Sequence, residues 1–167
     1  MASANGRTLK VAIIGAGMGG LCAAVALRKR GFDVHVYERA AALGEYGAGL
    51  QLGPNCFKVF RGLGMEAQLR ANAFEPRTMV SIKWDDASLR YREDIKGVYE
   101  RQFGAPYLLA HRGDLHRLFR EELPESCVSP GKLCTQAETR GDIAIARFAD
   151  GGEIEADVVI GADGIRS

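Results

Sequence analysis

Between Leu9 and Arg39 the chain reads LKVAIIGAGMGGLCAAVALRKRGFDVHVYER, and no other stretch restricts the fold as strongly. An apolar, β-rich run ends at Ile14, and Gly15, Gly17 and Gly20 follow it. A helical pattern then continues to Arg30, Gly31 stops it, and a second strand ends at Glu38. Strand, glycine turn, helix and strand in this order make a complete βαβ unit, which places the two strands parallel with the helix packed across them. Each glycine has its own duty. Gly15 permits the tight turn out of the strand, Gly17 lets backbone approach a pyrophosphate, and Gly20 lets the helix pack closely on the sheet.

The first helical turn, Met18 to Leu21, has no acidic residue, so its free N–H groups and positive dipole end favour an anion. At the other end Arg28, Lys29 and Arg30 complement the negative pole. Glu38 stands eighteen residues after Gly20. That is near the separation of about 20 at which a carboxylate accepts the ribose hydroxyls of a dinucleotide. A carboxylate there repels a 2′-phosphate and so disfavours NADP at this position. The plain alternative is a solvated Glu38 after a strand and glycines that serve only a turn.

The 167 residues allow one domain, expected over residues 9–167 after a disordered tail at 1–8, and 47% hydrophobic with 26% charged residues suits a globular chain. A net charge of +1 with no basic stretch interleaved with aromatics carries no footprint for nucleic acid or an acidic membrane surface. Cys22, Cys56, Cys127 and Cys134 form no CxxC pair and have no His at zinc spacing, so no metal site is expected and the thiols read as reduced and structural. Val11 to Leu27 carries no charged residue but holds four glycines, too short and too broken for a membrane span. Without an apolar leader at the N-terminus, a cytoplasmic location is expected.

Beyond Glu38, GAGLQLG (Gly47 to Gly53) reads as a short extended segment in which backbone lies close to something. Pro54 and Asn55 open a helix with Phe57, Val59, Phe60 and Leu63 on and around its inner face, and a short helix follows near Met65 to Asn72. Thr78 to Trp84 and Ser88 to Arg92 predict a hairpin, with Trp84 as a packing residue, and Glu93 to Tyr107 reads as a loop. A helix starting at Gly113 or Asp114 buries Leu115, Leu118, Phe119 and Leu123. Arg112 then precedes the helix as a surface residue, while His111 and His116 read as satisfied polar or solvent-facing positions. Leu133–Thr139, Asp142–Phe148 and Gly152–Glu155 predict antiparallel strands, and Val158–Ile160 a buried parallel strand before the turn that carries Asp163.

Taken together, GAGMGG with Glu38-Arg39, GAGLQLGPN, HRGDL and GADGIRS resemble the N-terminal half of the single-component FAD monooxygenases that hydroxylate aromatic rings. The likeness is nearest to the branch containing salicylate hydroxylase and 6-hydroxynicotinate 3-monooxygenase. It spans residues 8–167. It implies an α/β, Rossmann-like FAD-binding fold with a parallel sheet plus antiparallel strands, truncated before the substrate domain and a GDA-type segment. It also implies FAD with its pyrophosphate on Gly15, Gly17, Met18 and Gly20, its ribose on Glu38 beside Arg39, and its adenine near the backbone of Leu133. Arg112 would reach the ribityl and phosphate region, which overturns the surface reading. Asp163, with Arg166 nearby, would support the pyrophosphate and docking of the reduced nicotinamide, and Gly47 to Leu52, Gly49 included, would pass the isoalloxazine ring.

For an intact enzyme the resemblance implies that NADH or NADPH reduces FAD and that molecular oxygen reaches a small aromatic substrate through a flavin C4a-hydroperoxide. At the position of Gln51 the 6-hydroxynicotinate enzymes have a histidine that acts as base. A neutral amide takes no proton near pH 7, so Gln51 is expected only to orient substrate or flavin, or to be a packed strand residue. Truncation leads to an expectation of weak flavin affinity, self-association through an exposed apolar face, and no turnover by this chain alone. The rivals are another FAD oxidoreductase, such as one acting on isoprenoid chains, a non-catalytic dinucleotide-binding or interaction domain, and an NAD-binding domain.

Overall fold

The computed structural model describes residues 7–44 and 47–165. Most of the expected tail and Arg166 therefore lie outside the described residues. In chain order come β1 (Lys10–Ile14), α1 (Met18–Arg28), β2 (Asp33–Tyr37), β3 (Gly49–Leu52), α2 (Pro54–Gly62), α3 (Glu66–Ala71) and β4 (Ala73–Phe74). Next are β5 (Thr78–Ile82), β6 (Leu89–Asp94), α4 (Val98–Phe103), β7 (Leu108–His111) and α5 (Arg112–Glu121). A 3-10 turn at Glu125–Cys127 leads to β8 (Val128–Ser129), β9 (Cys134–Arg140), β10 (Ile143–Phe148), β11 (Glu153–Ala156) and β12 (Val158–Gly161).

Two compact units divide these elements. The first holds the described residues up to 44 and from His116 onward, and the second holds Gly47 to Leu115. The first unit is a mixed α/β structure built on a parallel sheet of order β12-β1-β2-β8. β1 has a strand on each side, so Val11 to Ile14 are all buried, as a continuous apolar run in a parallel sheet requires. α1 buries Leu21, Ala24 and Val25 and ends at Arg28, two residues before the expected Arg30. β9, β10 and β11 form an antiparallel sheet joined by left-handed turns at Gly141 and Gly151. Phe148 and Ala146 of β10 pack against Ile14, and the Phe148 ring meets Tyr37 at 5.0 Å between centroids.

One strand departs from its expected environment. β12 pairs parallel with β1, yet Val158 is 42% exposed, because β12 ends the sheet order among the described residues and one of its sides lacks a ladder partner. β8, only two residues long, pairs with β2 and was invisible to a period-based reading.

In the second unit β3, β7 and β4 make an antiparallel sheet, and β5 pairs with β6 as the expected hairpin. Phe57, Phe60 and Leu63 of the α2 region are buried, but Val59 is half exposed and points off their arc. Trp84 is 96% exposed at the hairpin tip and packs on nothing, so its assignment as a packing residue does not hold: a two-stranded ribbon has no second layer at its turn. The segment expected to be a loop contains α4. Gly97 and Gly104, which looked like loop punctuation, cap the two ends of this helix at φ 68° and 71°. β7 follows, and α5 begins at Arg112 itself rather than after it. None of the four cysteines is in a disulfide. Among the described residues no helix is long and apolar enough to cross a membrane, and no group of three or more His, Cys, Asp or Glu is placed to hold a metal.

Candidate functional site

The turn from β1 into α1 is built by close approaches that exclude side chains. Gly15 has φ +107°, and a Cβ there would lie 2.4 Å from the Ala162 carbonyl oxygen. At Gly20 a Cβ would lie 1.9 Å from the Gly15 carbonyl oxygen, so this glycine serves the turn itself as well as helix packing. Gly17 caps α1 with extended backbone, open space surrounds its Cα, and Met18 is the first helical residue. No side chain caps this terminus and no acid lies in its first turn, so the leading amides of the helix remain available to an anion.

Glu38 follows directly after β2, at the carboxyl edge of the sheet. Its Oε2 accepts the Ala16 N–H at 2.7 Å and its Oε1 accepts the Ala40 N–H at 2.9 Å. A carboxylate offers about four lone-pair positions, so each oxygen keeps acceptor capacity for a hydroxyl. Backbone bonds tie the strand ends together around it: Gly15 N–H to Tyr37 O at 2.7 Å, Ala162 N–H to Ile14 O at 2.7 Å, and Lys132 N–H to Glu38 O at 2.7 Å.

Gly15, Glu38, Arg39, Leu133 and Asp163 line one cavity of about 160 Å³, together with Ile14, Tyr37, Lys132 and Cys134. It lies at the carboxyl ends of β1, β2 and β12, the edge at which open α/β sheets take ligands. Burial pushes the Tyr37 phenol above its ordinary range, against the pull of Lys132, so a neutral phenol lines the cavity. A wider cleft of about 700 Å³ between the β9–β10 hairpin and β12 shares Ile14, Cys134 and Asp163 with it. Of the expected site residues, the first unit therefore gathers Gly15, Gly17, Met18, Gly20, Glu38, Arg39, Leu133 and Asp163.

Gly49, Gln51 and Arg112 belong to the second unit. Gly49 pairs with His111 across β3 and β7. The Arg112 N–H donates to Ala48 O at 3.1 Å, and its side chain packs so closely on Gly47 that a Cβ there would lie 2.6 Å from the Arg112 Cβ. Beside it, Gly113 N–H donates to His111 Nδ1 at 3.2 Å, so the proton of that ring sits on Nε2, facing Gly47 O at 3.0 Å. Gln51 accepts the Tyr107 O–H on Oε1 at 2.6 Å, which turns its amide NH₂ outward as a donor. Burial raises the Tyr107 pKa and so keeps that phenol a donor.

Sequence reasoning missed Ala16 and Tyr107 among these partners and left His116 open between a satisfied polar and a solvent-facing position, of which the structure shows the first. Buried His116 presents Nε2 to Ala16 O at 2.7 Å. The one available signal was its place next to Leu115 and within one turn of Phe119, on an apolar arc where a polar ring needs a partner.

The model of the FAD binding domain family matches residues 8–167. The chain is 40% identical over 158 residues to 6-hydroxynicotinate 3-monooxygenase of Pseudomonas fluorescens, covering 95% of this chain and 41% of that protein. It is 42% identical over 161 residues to 3-amino-4-hydroxybenzoate 2-monooxygenase of Streptomyces cremeus, covering 96% and 41%. Among solved structures, Klebsiella pneumoniae HpxO complexed with FAD and uric acid superposes with a TM-score of 0.82 at 29% identity, over 93% of this chain and 39% of that one. The chain thus spans about 41% of the length of the curated relatives it matches.

Proposed function

The chain belongs to the FAD binding domain family, and on that premise we propose that its first unit holds the ADP half of FAD at the carboxyl edge of the parallel sheet. The whole protein is then a monooxygenase that uses NADH or NADPH and molecular oxygen to hydroxylate a small aromatic acid. The observation that carries this reading is the juxtaposition of the uncapped α1 terminus with the Glu38 carboxylate, which, with its spare acceptor positions, lines the cavity at the same sheet edge.

The residues present fit the group. Gly15 and Gly20 allow the close turn, Gly17 leaves a side-chain-free approach for the diphosphate to the backbone donors that start at Met18, and Glu38 takes the ribose hydroxyls. Arg39, Leu133 and Asp163 line the same cavity, with Leu133 assigned to the adenine and Asp163 to the pyrophosphate side. For the second unit, the family resemblance assigns Gly49 and Arg112 to the flavin side and Gln51, with its outward NH₂, to orienting an acceptor atom of substrate or flavin. When bound, the flavin supplies the redox chemistry, and the protein binds, orients and excludes water. Names of the relatives support an aromatic acid as substrate. A cytoplasmic location and self-association through exposed Ile143, Val158 and Ile165 belong to the same proposal.

Titration of the purified chain with FAD tests the binding step. Saturable quenching of flavin fluorescence, reversed by ADP and not by its 2′-phosphorylated isomer, is expected, and no quenching at any concentration rejects the reading. In the whole protein, hydroxylated product from an aromatic acid distinguishes a monooxygenase from another FAD oxidoreductase, which oxidises NAD(P)H without it. A non-catalytic dinucleotide-binding module does neither. Sedimentation of the chain at rising concentration reads the self-association.

A further inference from the structure

Ala16, in the turn from β1 into α1, is held through both of its flanking peptide groups by residues far apart in sequence. Ala16 N–H donates to Glu38 Oε2 at 2.7 Å, and Ala16 C=O faces His116 Nε2 at 2.7 Å, one hundred residues along the chain. His116 is 6% exposed and lies on α5. A carbonyl only accepts, so this nitrogen carries the proton and the ring is a donor here.

The C=O of Ala16 and the N–H of Gly17 belong to one peptide plane. There are no cis peptide bonds in the described residues, so the two groups point in opposite directions. Fixing the carbonyl toward His116 therefore aims the Gly17 N–H away from α5. Without the imidazole little would hold that plane, because Gly17 has open space around its Cα and a glycine tolerates peptide rotation at small cost. The His116 bond thus sets the direction of the Gly17 N–H at the start of α1, while the Glu38 bond anchors the preceding Gly15–Ala16 peptide.

We propose that His116 is a positioning residue for the diphosphate of the bound dinucleotide, acting through the Ala16–Gly17 peptide as a fixed N–H donor. This rests on the FAD reading given above. The imidazole itself touches neither phosphate nor flavin. Its effect falls on the diphosphate and leaves adenosine recognition alone, since Glu38 and the Leu133 segment do not depend on the orientation of that peptide.

The test compares ADP and adenosine binding to the full chain and to two variants, His116→Leu, which removes the donor, and His116→Gln, whose amide N–H reaches a similar position. A lost hydrogen bond to a buried carbonyl predicts ADP affinity about tenfold weaker in His116→Leu with adenosine affinity unchanged. His116→Gln is expected to restore ADP binding to within about threefold of wild type. Equal ADP affinity in His116→Leu and wild type, an equal loss for adenosine, or no recovery in His116→Gln overturns the inference. Should His116→Leu fail to fold, the wild-type amide spectrum decides. The Gly17 N–H signal moves downfield on adding ADP while the His116 Nε2 proton is retained, and an unmoved Gly17 signal or a lost Nε2 proton overturns the proposal. A wild-type chain that binds neither FAD nor ADP rejects the dinucleotide reading and this inference with it, whereas any failure confined to the variants or to Gly17 rejects this inference alone.

Discussion

The Glu38 carboxylate accepts the backbone N–H of Ala16 at 2.7 Å, across the turn that joins β1 to α1. The side chain expected to grip a ribose therefore also braces the loop proposed to receive the phosphates. Glu38→Gln places an amide NH₂ against either the Ala16 or the Ala40 N–H, so one donor loses its acceptor. A loss of about 1–3 kcal/mol of stability is expected from the broken charged bond, together with at least tenfold weaker FAD binding. Thermal melts and flavin fluorescence titration read the two effects, and an unchanged melting temperature would show that the brace is dispensable.

Adjacent glycines in α1 are expected to respond with opposite signs. An alanine Cβ at Gly20 meets the Gly15 carbonyl oxygen at 1.9 Å, backbone against backbone, whereas at Gly19 it meets nothing within 4 Å. Gly20→Ala should destabilise by about 1–3 kcal/mol through overpacking, and Gly19→Ala should stabilise by about 0.5–1 kcal/mol through helix propensity. Chemical denaturation of both variants checks the contrast. Two changes of the same sign would contradict the observed packing.

Acid should weaken the first unit through Asp157. This carboxylate accepts the Lys10 N–H at 2.7 Å and pairs with Arg7, and these contacts hold its carboxyl below the usual carboxylate range. Because the folded form binds its proton less readily than the unfolded chain, the contribution is complete above about pH 4 and is lost as pH falls through the lower folded value. Glu138, held down by Arg147 and Arg140, has the same sign. Melting temperature measured from pH 6 to pH 2 should drop on the acid side, and Asp157→Asn should flatten part of that drop.

Trp84 is the only tryptophan and is 96% exposed, so it reports directly on the hairpin tip. Its fluorescence should show the emission of a water-exposed indole and full access to acrylamide, and Trp84→Ser should change stability by less than about 0.5 kcal/mol. A blue-shifted, shielded emission in the isolated chain would place a partner on that face.

The β1–α1–β2 unit was legible from the chain because its determinants are local. A run of apolar residues, glycines at fixed offsets and a helical period specify strand, turn and helix within thirty residues, and Glu38 follows from spacing. The hairpins at Gly141 and Gly151 were legible for the same reason. α4 was missed because six residues are too few to show a period between two glycines, and β8 because two residues carry none. The half-open flank of β12 was misread because an apolar run states that a strand prefers burial, not whether another strand covers it.

Sequence by itself determined the glycine turn from β1 into α1 and the order of the elements around it, since these depend on backbone conformation within a few residues. Only the tertiary structure decided which groups hold that turn in place. Glu38 on the Ala16 N–H and His116 on the Ala16 carbonyl act across twenty-two and one hundred residues. Hydrogen bonds of that span arise where the end of β2 and the His116 ring meet the turn after β1, and no local pattern records them.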